Sequence, residues 1–234
     1  MQNYNDYNYE SSIDRKSAIA SQMARVFGWM FIGLMVTGLT ALYTINSSAM
    51  INLIYSGGFT IFGLMLLEIV FVVFISRRAM HMEYGVAAGA FIMYSILNGL
   101  TLSVIFFAYT FGSIALAFFM AAGFFGFMSV YGLVTKTDLT SMGSLLMMGL
   151  VGLIIVSIVN IFLNSSPLGW IISIVGVAIF LGLTAYDSQK IKNISMHYMG
   201  TEKERNVAII GALTLYLDFI NLFLYILRIL GKRR

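Results

Sequence analysis

The chain has 234 residues, of which 59% are hydrophobic and only 10% charged, with a formal net charge of +4. A soluble domain is usually about 25% charged, and one of this size could not bury so much apolar surface, so the composition indicates a membrane protein. The positive charge is typical of basic loops at a membrane surface and does not favour a nucleic-acid partner. The absence of cysteine excludes disulfides, thiolate metal sites and cysteine nucleophiles. His81 and His197 both lie outside the apolar stretches, which argues against a histidine zinc site.

The N-terminal segment, residues 1–22, is polar and is predicted to be a cytoplasmic tail preceding a seven-helix transmembrane domain at 23–234. Its opening residues are rich in Asn and Tyr, a bias typical of disordered tails. The basic-then-apolar pattern of a cleaved signal peptide is missing, so the first span itself is expected to direct insertion.

Seven apolar stretches have about the 20 residues that a helix needs to cross a bilayer. They are Val26–Ile45, Gly58–Ile75, Gly85–Tyr109, Gly112–Val134, Gly143–Leu163, Leu168–Tyr186 and Val207–Leu227. The connections are brief, so neighbouring helices should be antiparallel. The predicted fold class is an all-α membrane protein, a bundle of seven transmembrane helices.

The distribution of basic residues predicts the orientation. Ten lie before the first span or in alternate connections, whereas the opposing loops carry none, which places the N-terminus in the cytoplasm. The ten are Arg15, Lys16, Arg25, Arg77, Arg78, Lys136, Lys190, Lys192, Lys203 and Arg205. Four more, Arg228, Lys232, Arg233 and Arg234, would be exported if Val207–Leu227 crosses, and cytoplasmic if that segment is re-entrant. The segment is long enough to cross, so seven crossings are preferred.

Three acidic residues are set within the spans: Glu68 near the middle of the second, Asp218 near the middle of the seventh, and Asp187 at the end of the sixth. An ionised carboxylate at the bilayer centre costs at least about 3 kcal/mol, so such residues usually face a cavity or partner and mark function. Asn98 and Asn160 are also intramembrane, but these neutral residues more often make structural hydrogen bonds between helices.

Simple counting places the two aspartates at different depths. Asp218 lies roughly 20 Å beyond Arg205 along a helix that rises about 1.5 Å per residue, whereas Asp187 lies one turn before Lys190. The carboxyl groups could meet if the sixth span continued past Lys190, or if the seventh began below the membrane surface. The spacing permits a pair without establishing one.

Several long motifs resemble the Bax inhibitor-1 family, also called the transmembrane Bax inhibitor motif proteins, and in particular its bacterial inner-membrane branch. The two most specific are GLTAYDSQKIK at 182–192 and GALTLYLDFINLFLYILRILG at 211–231. ARVFGWMFIGLMVTG at 24–38, NGLTLSVIF at 98–106 and GFMSVYGLVTKTDL at 126–139 also fit. The resemblance covers nearly the whole chain, with the motifs in the family's order.

The resemblance implies a fold in which six helices wrap a central C-terminal helix. It further implies a pH-sensitive calcium leak governed by paired aspartates matching Asp187 and Asp218, which would bind Ca²⁺ transiently, with no resident cofactor. A basic residue is expected near the C-terminal aspartate in the closed state; Arg78 is the candidate, followed by Arg77. Glu68 is a further candidate for the ion pathway.

The chemistry of a carboxyl pair is compatible with that role. Two carboxylates in contact do not both ionise readily, so the pair can share a proton. Protonation would hold a pore shut, and loss of the proton would create a site attractive to Ca²⁺. Calcium prefers six to eight oxygen ligands, so two or three carboxylates suit weak, transient binding.

Three rival functions remain open. An intramembrane aspartyl protease is disfavoured because residues 215–218 read LYLD instead of GxGD and Pro167 is not part of a PAL motif, so no enzymatic activity is expected. A non-transporting regulator could engage a membrane protease such as FtsH through the cytoplasmic tail. A secondary transporter is possible, although no inverted repeat is visible.

Overall fold

The computed structural model describes residues 2–55 and 58–232, and the side chains of 16–52 and 60–232. All of its regular elements in these ranges are helical. They are α1 (Gln2–Asn46), α2 (Ser48–Tyr55), α3 (Gly58–Arg78), a 3₁₀ turn (Ala79–His81), α4 (Tyr84–Leu102), α5 (Ile105–Ala108), α6 (Phe111–Val134), α7 (Thr140–Leu163), α8 (Ser166–His197) and α9 (Glu204–Leu230).

The predicted seven-helix membrane fold is confirmed. Within the described residues, seven helices are long and apolar enough to cross a bilayer, and each contains one of the seven predicted stretches or most of it. Large apolar side chains on α3, α6 and α7 point outward, for example Phe62, Phe127 and Phe162. Such a surface would be a liability in water but is the normal covering of a bundle that faces lipid.

The C-terminal helix α9 is the core of the bundle. It contacts α1, α3, α4, α6 and α8, while α7 packs against α8. Its buried side chains cover most of the helix surface, including Val207, Ile209, Leu215 and Tyr216, and one face with Thr214 and Asn221 stays partly exposed. A helix with so wide an apolar surface is stable only where neighbours cover it, which accounts for the central position.

The sixth span is longer than predicted, because α8 continues to His197 rather than ending near Tyr186. Polar side chains in the extension have partners in the last turn of α6 and in the α6–α7 connection. Gln189 accepts from the backbone N–H of Leu139 and donates to the carbonyl of Thr137, both at 2.9 Å. The ammonium group of Lys192 donates to the carbonyl of Leu133 at 2.6 Å. These bonds stabilise the helix beyond its apolar portion.

Two further boundaries differ from the prediction. The third span is interrupted after Leu102, where the Ser103 hydroxyl donates to the carbonyl of Leu100 and competes with the helical pattern. The N-terminal tail, expected to be disordered, is instead the first part of α1, which starts at Gln2. The prediction was wrong because no Gly or Pro precedes Gly28, so nothing stops the helix from extending outward from the span.

A carboxyl pair between two cavities as the candidate functional site

Asp187 on α8 and Asp218 on α9 face each other across the contact between these helices. They are 8% and 5% exposed, and their carboxyl groups are close enough to interact directly. With a rise of about 1.5 Å per residue, Asp218 lies about 21 Å from the start of α9 and Asp187 about 15 Å from the end of α8. The extension of α8 past Lys190 therefore brings the two residues to similar depth.

Two glycines fix the part of α8 that carries Asp187. A Cβ at Gly132 of α6 would lie 2.1 Å from the carbonyl oxygen of Ala185, and one at Gly143 of α7 would lie 2.4 Å from the ring of Tyr186. Real Cβ atoms do not approach so closely, so only glycine permits these contacts. The backbone just before Asp187 is thus held from two sides.

The protein around the carboxyl pair offers few hydrogen bonds. Among the described residues, Oδ2 of Asp218 is buried with no hydrogen-bond partner. Lys190, one turn further along α8, acts electrostatically on Asp187, and its ammonium group lies 5.6 Å from the centre of the Tyr186 ring. A bare buried carboxylate oxygen is costly, so the pair accommodates one negative charge more readily than two.

Two cavities adjoin the pair, and Asp187 lies in the partition between them. The first, here the α3 cavity, has a volume of about 420 Å³ and lies between α3, α8 and α9, with Ser76, Asp187, Lys190 and Thr214 in its wall. The second, here the α7 cavity, has a volume of about 360 Å³ and lies between α7, α8 and α9. Asp187 and Thr214 line both, whereas Asp218 lines only the α7 cavity. The carboxyl groups therefore form part of the partition.

Oxygen atoms from α9 extend this polar wall. Thr214, Asp218 and Asn221 are spaced four and three residues apart, so they share one face of the helix, and all three line the α7 cavity. The Thr214 hydroxyl donates to the carbonyl of Ile210, and the Asn221 amide donates to that of Leu217. With the Thr214 O–H and one Asn221 N–H used in these bonds, each residue has an oxygen left as an acceptor. The sequence reasoning missed both, although their spacing from Asp218 was a usable signal.

Glu68 lies apart from the pair. It is half-buried on α3 and accepts a hydrogen bond from the Thr101 hydroxyl of α4, with Tyr94 and Tyr216 near enough to experience its charge. It therefore has a protein partner, as predicted for an intramembrane carboxylate, but it lines neither the α3 cavity nor the α7 cavity.

Arg78 is not brought to the pair either. It is exposed at the end of α3, as is Arg77, and neither lines the two cavities. Ser76 and Met80 do line the α3 cavity, and because they are four residues apart they define the helix face directed at it. Arg78 lies midway between them, on the opposite face. Lys190 is the basic residue that the structure places beside Asp187.

The residues around the carboxyl pair offer a limited set of ligands for Ca²⁺. Among the described residues, no group of three or more His, Cys, Asp or Glu side chains is arranged to hold a metal ion. The oxygens available are the two carboxyl groups with Thr214 and Asn221. With one oxygen from each group the set supplies four ligands, and with both carboxylates bidentate it only just reaches the lower end of the six to eight oxygens that Ca²⁺ prefers, so water would complete the shell and binding would be weak.

Comparison with known proteins agrees with the motifs. The sequence model of the family described as "Inhibitor of apoptosis-promoting Bax1" matches residues 19–234. The chain is 44% identical over 227 residues to the inner membrane protein YbhL of Escherichia coli K12, covering 96% of this chain and 97% of YbhL. It is 47% identical over 213 residues to an uncharacterized protein of Borreliella burgdorferi, covering 91% of this chain and 92% of that protein. The chain therefore belongs to the Bax inhibitor-1-like family of membrane proteins.

Proposed function

We propose that this protein is a pH-sensitive leak pathway for cations, with Ca²⁺ as the principal ion, across the inner membrane. The observation that carries the proposal is the meeting of Asp187 and Asp218 in the partition between the α3 and α7 cavities. An ion travelling between these cavities would pass the two carboxyl groups.

The proton controls whether that passage is open. With one shared proton, the pair can form a carboxyl–carboxylate hydrogen bond that ties α8 to α9 and keeps the partition closed. Loss of the proton leaves two negative charges, whose repulsion at 4 Å is about 4 kcal/mol at an effective dielectric constant near 20. A divalent cation relieves this repulsion, so ionisation both loosens the helix contact and attracts Ca²⁺.

The ring of Tyr225 closes the route further along α9. This residue lines the α7 cavity, and its ring stacks on Phe180 with the centroids 5.9 Å apart. Gly176 lies against the same ring, since a Cβ there would be 2.8 Å from it. The arrangement supports a closed state with two barriers, one made by the carboxyl pair and one made by the aromatic stack.

The proposed orientation places the N-terminus and the α3 cavity on the cytoplasmic side. It is supported by the basic residues before α1 and in the α3–α4, α6–α7 and α8–α9 connections. The α3 cavity lies near the last of these connections, with Tyr198 in its wall. Protonation of Asp187 would then respond mainly to cytoplasmic pH.

The experiment is Ca²⁺ flux into proteoliposomes between pH 5 and 8. Flux is expected to rise with pH in wild type and to lose that dependence in Asp218→Asn, because an amide cannot release the proton. Glu202→Gln is the matched control, since Glu202 is exposed in the connection before α9; it should behave as wild type. Flux equal to that of empty liposomes at every pH would contradict the proposal.

The second candidate is a non-transporting regulator of a membrane protease. It is favoured by the polar N-terminal part of α1, because the helix starts at Gln2, well before the first apolar stretch at Val26. Deleting residues 1–15 would abolish such a role and leave Ca²⁺ flux unchanged, whereas Asp187→Asn would do the reverse. The deletion and the substitution therefore separate the candidates.

A further inference from the structure

A third cavity, here the Arg228 cavity, lies at the end of the bundle where α8 begins and α9 ends. Its volume is about 230 Å³, and its wall contains Arg228, Asn160, Ser165 and Ser166. None of the described residues that line it is acidic, and within the described part of the chain Arg228 has no ion-pair partner. The guanidinium charge is therefore without a counter-charge from the protein.

Two donor groups converge over Gly169 in this cavity. A Cβ at Gly169 would lie 2.9 Å from Nη2 of Arg228 and 3.3 Å from Nδ2 of Asn160. Asn160 is only 9% exposed, and its Oδ1 accepts from the backbone N–H of Ser165 at 3.1 Å. Its NH₂ group is thus the end left to face the cavity, where no acceptor from the described residues is bonded to it.

The start of α8 adds to the positive character of the cavity. The Ser165 side chain caps the helix by accepting from the backbone N–H of Leu168, and its own O–H stays available to donate. Helix N-termini favour anions through their free N–H groups and the helix dipole. A guanidinium, an amide NH₂ and a hydroxyl directed into one cavity are the donor set that binds an oxyanion.

We propose that the Arg228 cavity binds a phosphate group, supplied by an anionic phospholipid headgroup at this face of the membrane. Trp170 lies in the cavity wall and is 58% exposed, and tryptophan is enriched at the level of lipid headgroups. The proposal gives the Arg228 guanidinium an anionic partner at the end of α9. It is independent of the cation leak, because no step of ion passage is involved.

The test is phospholipid binding to the purified full-length protein, measured by native mass spectrometry and by the thermal shift in detergent. Phosphatidylglycerol is compared with phosphatidylcholine and with inorganic phosphate. We expect phosphatidylglycerol to bind and stabilise the wild type, and Arg228→Gln to weaken that binding about tenfold, as for loss of a charge-assisted hydrogen bond. Lys232→Gln removes the same charge from an exposed residue outside the cavity and should bind as wild type.

Gly169→Ala tests the same site without changing any charge. Its Cβ would occupy the point where the Arg228 and Asn160 donors meet, and the flexible end of Arg228 can move aside, so the variant should fold yet bind phosphatidylglycerol more weakly. Equal affinity in wild type, Arg228→Gln and Gly169→Ala would overturn the site. An equal loss in Lys232→Gln would overturn it in favour of general charge attraction. A full shift from inorganic phosphate alone would support a phosphate site but overturn the lipid as its source.

Discussion

Gly132 of α6 packs directly against the carbonyl group of Ala185 of α8, two residues before Asp187, with no room for a side chain. A Cβ at Gly132 would lie 2.1 Å from that oxygen. This contact ties the position of the proposed gate to the α6–α8 crossing, because any added atom must push α8 away.

Gly132→Ala is therefore expected to destabilise the protein by about 1–3 kcal/mol, the usual cost of overpacking, and to disturb the carboxyl pair. Thermal unfolding in detergent measures the effect. Gly126→Ala on the same helix is the control, because nothing lies within 4 Å of its Cβ. Equal melting temperatures for the two variants would show that α8 is not held at this crossing.

The hydrogen-bond chain in the bundle core provides a second prediction. The Thr37 hydroxyl donates to the carbonyl of Ser95 at 2.9 Å, so the Tyr216 hydroxyl, 2.7 Å away, acts as donor to Thr37. Thr37→Val leaves the Tyr216 donor buried without an acceptor and should cost about 1–3 kcal/mol.

Tyr216→Phe removes the donor itself, leaving nothing unsatisfied at that position, and should cost less, about 0.5–1.5 kcal/mol. The double variant should be no less stable than Thr37→Val alone. Chemical unfolding of the three variants measures these differences, and a larger loss in Tyr216→Phe than in Thr37→Val would reverse the donor assignment.

Thr214 tests whether neutral oxygens in the partition contribute to ion passage. Thr214→Val removes an acceptor oxygen from both cavities and should lower Ca²⁺ flux at pH 8 several-fold, while leaving the pH at which flux rises unchanged, because no titrating group is lost. Thr44→Val is the matched control: its hydroxyl makes the same bond to a carbonyl four residues earlier, on α1. If both variants conduct as wild type, Thr214 does not contact the ion.

The orientation makes a prediction about the two ends of the chain. In the proposed orientation, which rests on the distribution of basic residues, the N-terminus is cytoplasmic and seven crossings export the C-terminus. Reporter fusions that are active on only one side of the membrane measure this. A C-terminal fusion active only in the cytoplasm would contradict seven crossings and favour a re-entrant last segment.

Much of the architecture could be predicted from the sequence, because seven apolar stretches of sufficient length leave few alternatives. The meeting of Asp187 and Asp218 could not, since it depends on the continuation of α8 past Lys190. That continuation is stabilised by tertiary bonds from Gln189 to the α6–α7 connection and from Lys192 to the last turn of α6, which local sequence does not encode.

The position of Arg78 could not be predicted from the sequence, for a different reason. The helix α3 is apolar almost all round, so its pattern does not specify which face turns toward the bundle. By contrast, Thr214 and Asn221 could have been found, because they share a helical face with Asp218. The Arg228 cavity combines residues from α7, α8 and α9, and only the packing of three helices reveals it.

The most direct test of the central proposal is the pH profile of Ca²⁺ flux in Asp187→Asn, Asp218→Asn and the double variant. The carboxyl pair acts through one coupled titration, so each single variant should abolish the rise in flux between pH 5 and 8. The double variant should add little further effect. Asp218→Asn should change the Ca²⁺ flux more than Asp187→Asn does, because the Asp218 carboxyl group is more deeply buried. Flux in both single variants that still follows pH as in wild type would contradict the proposal and leave the pair a structural role.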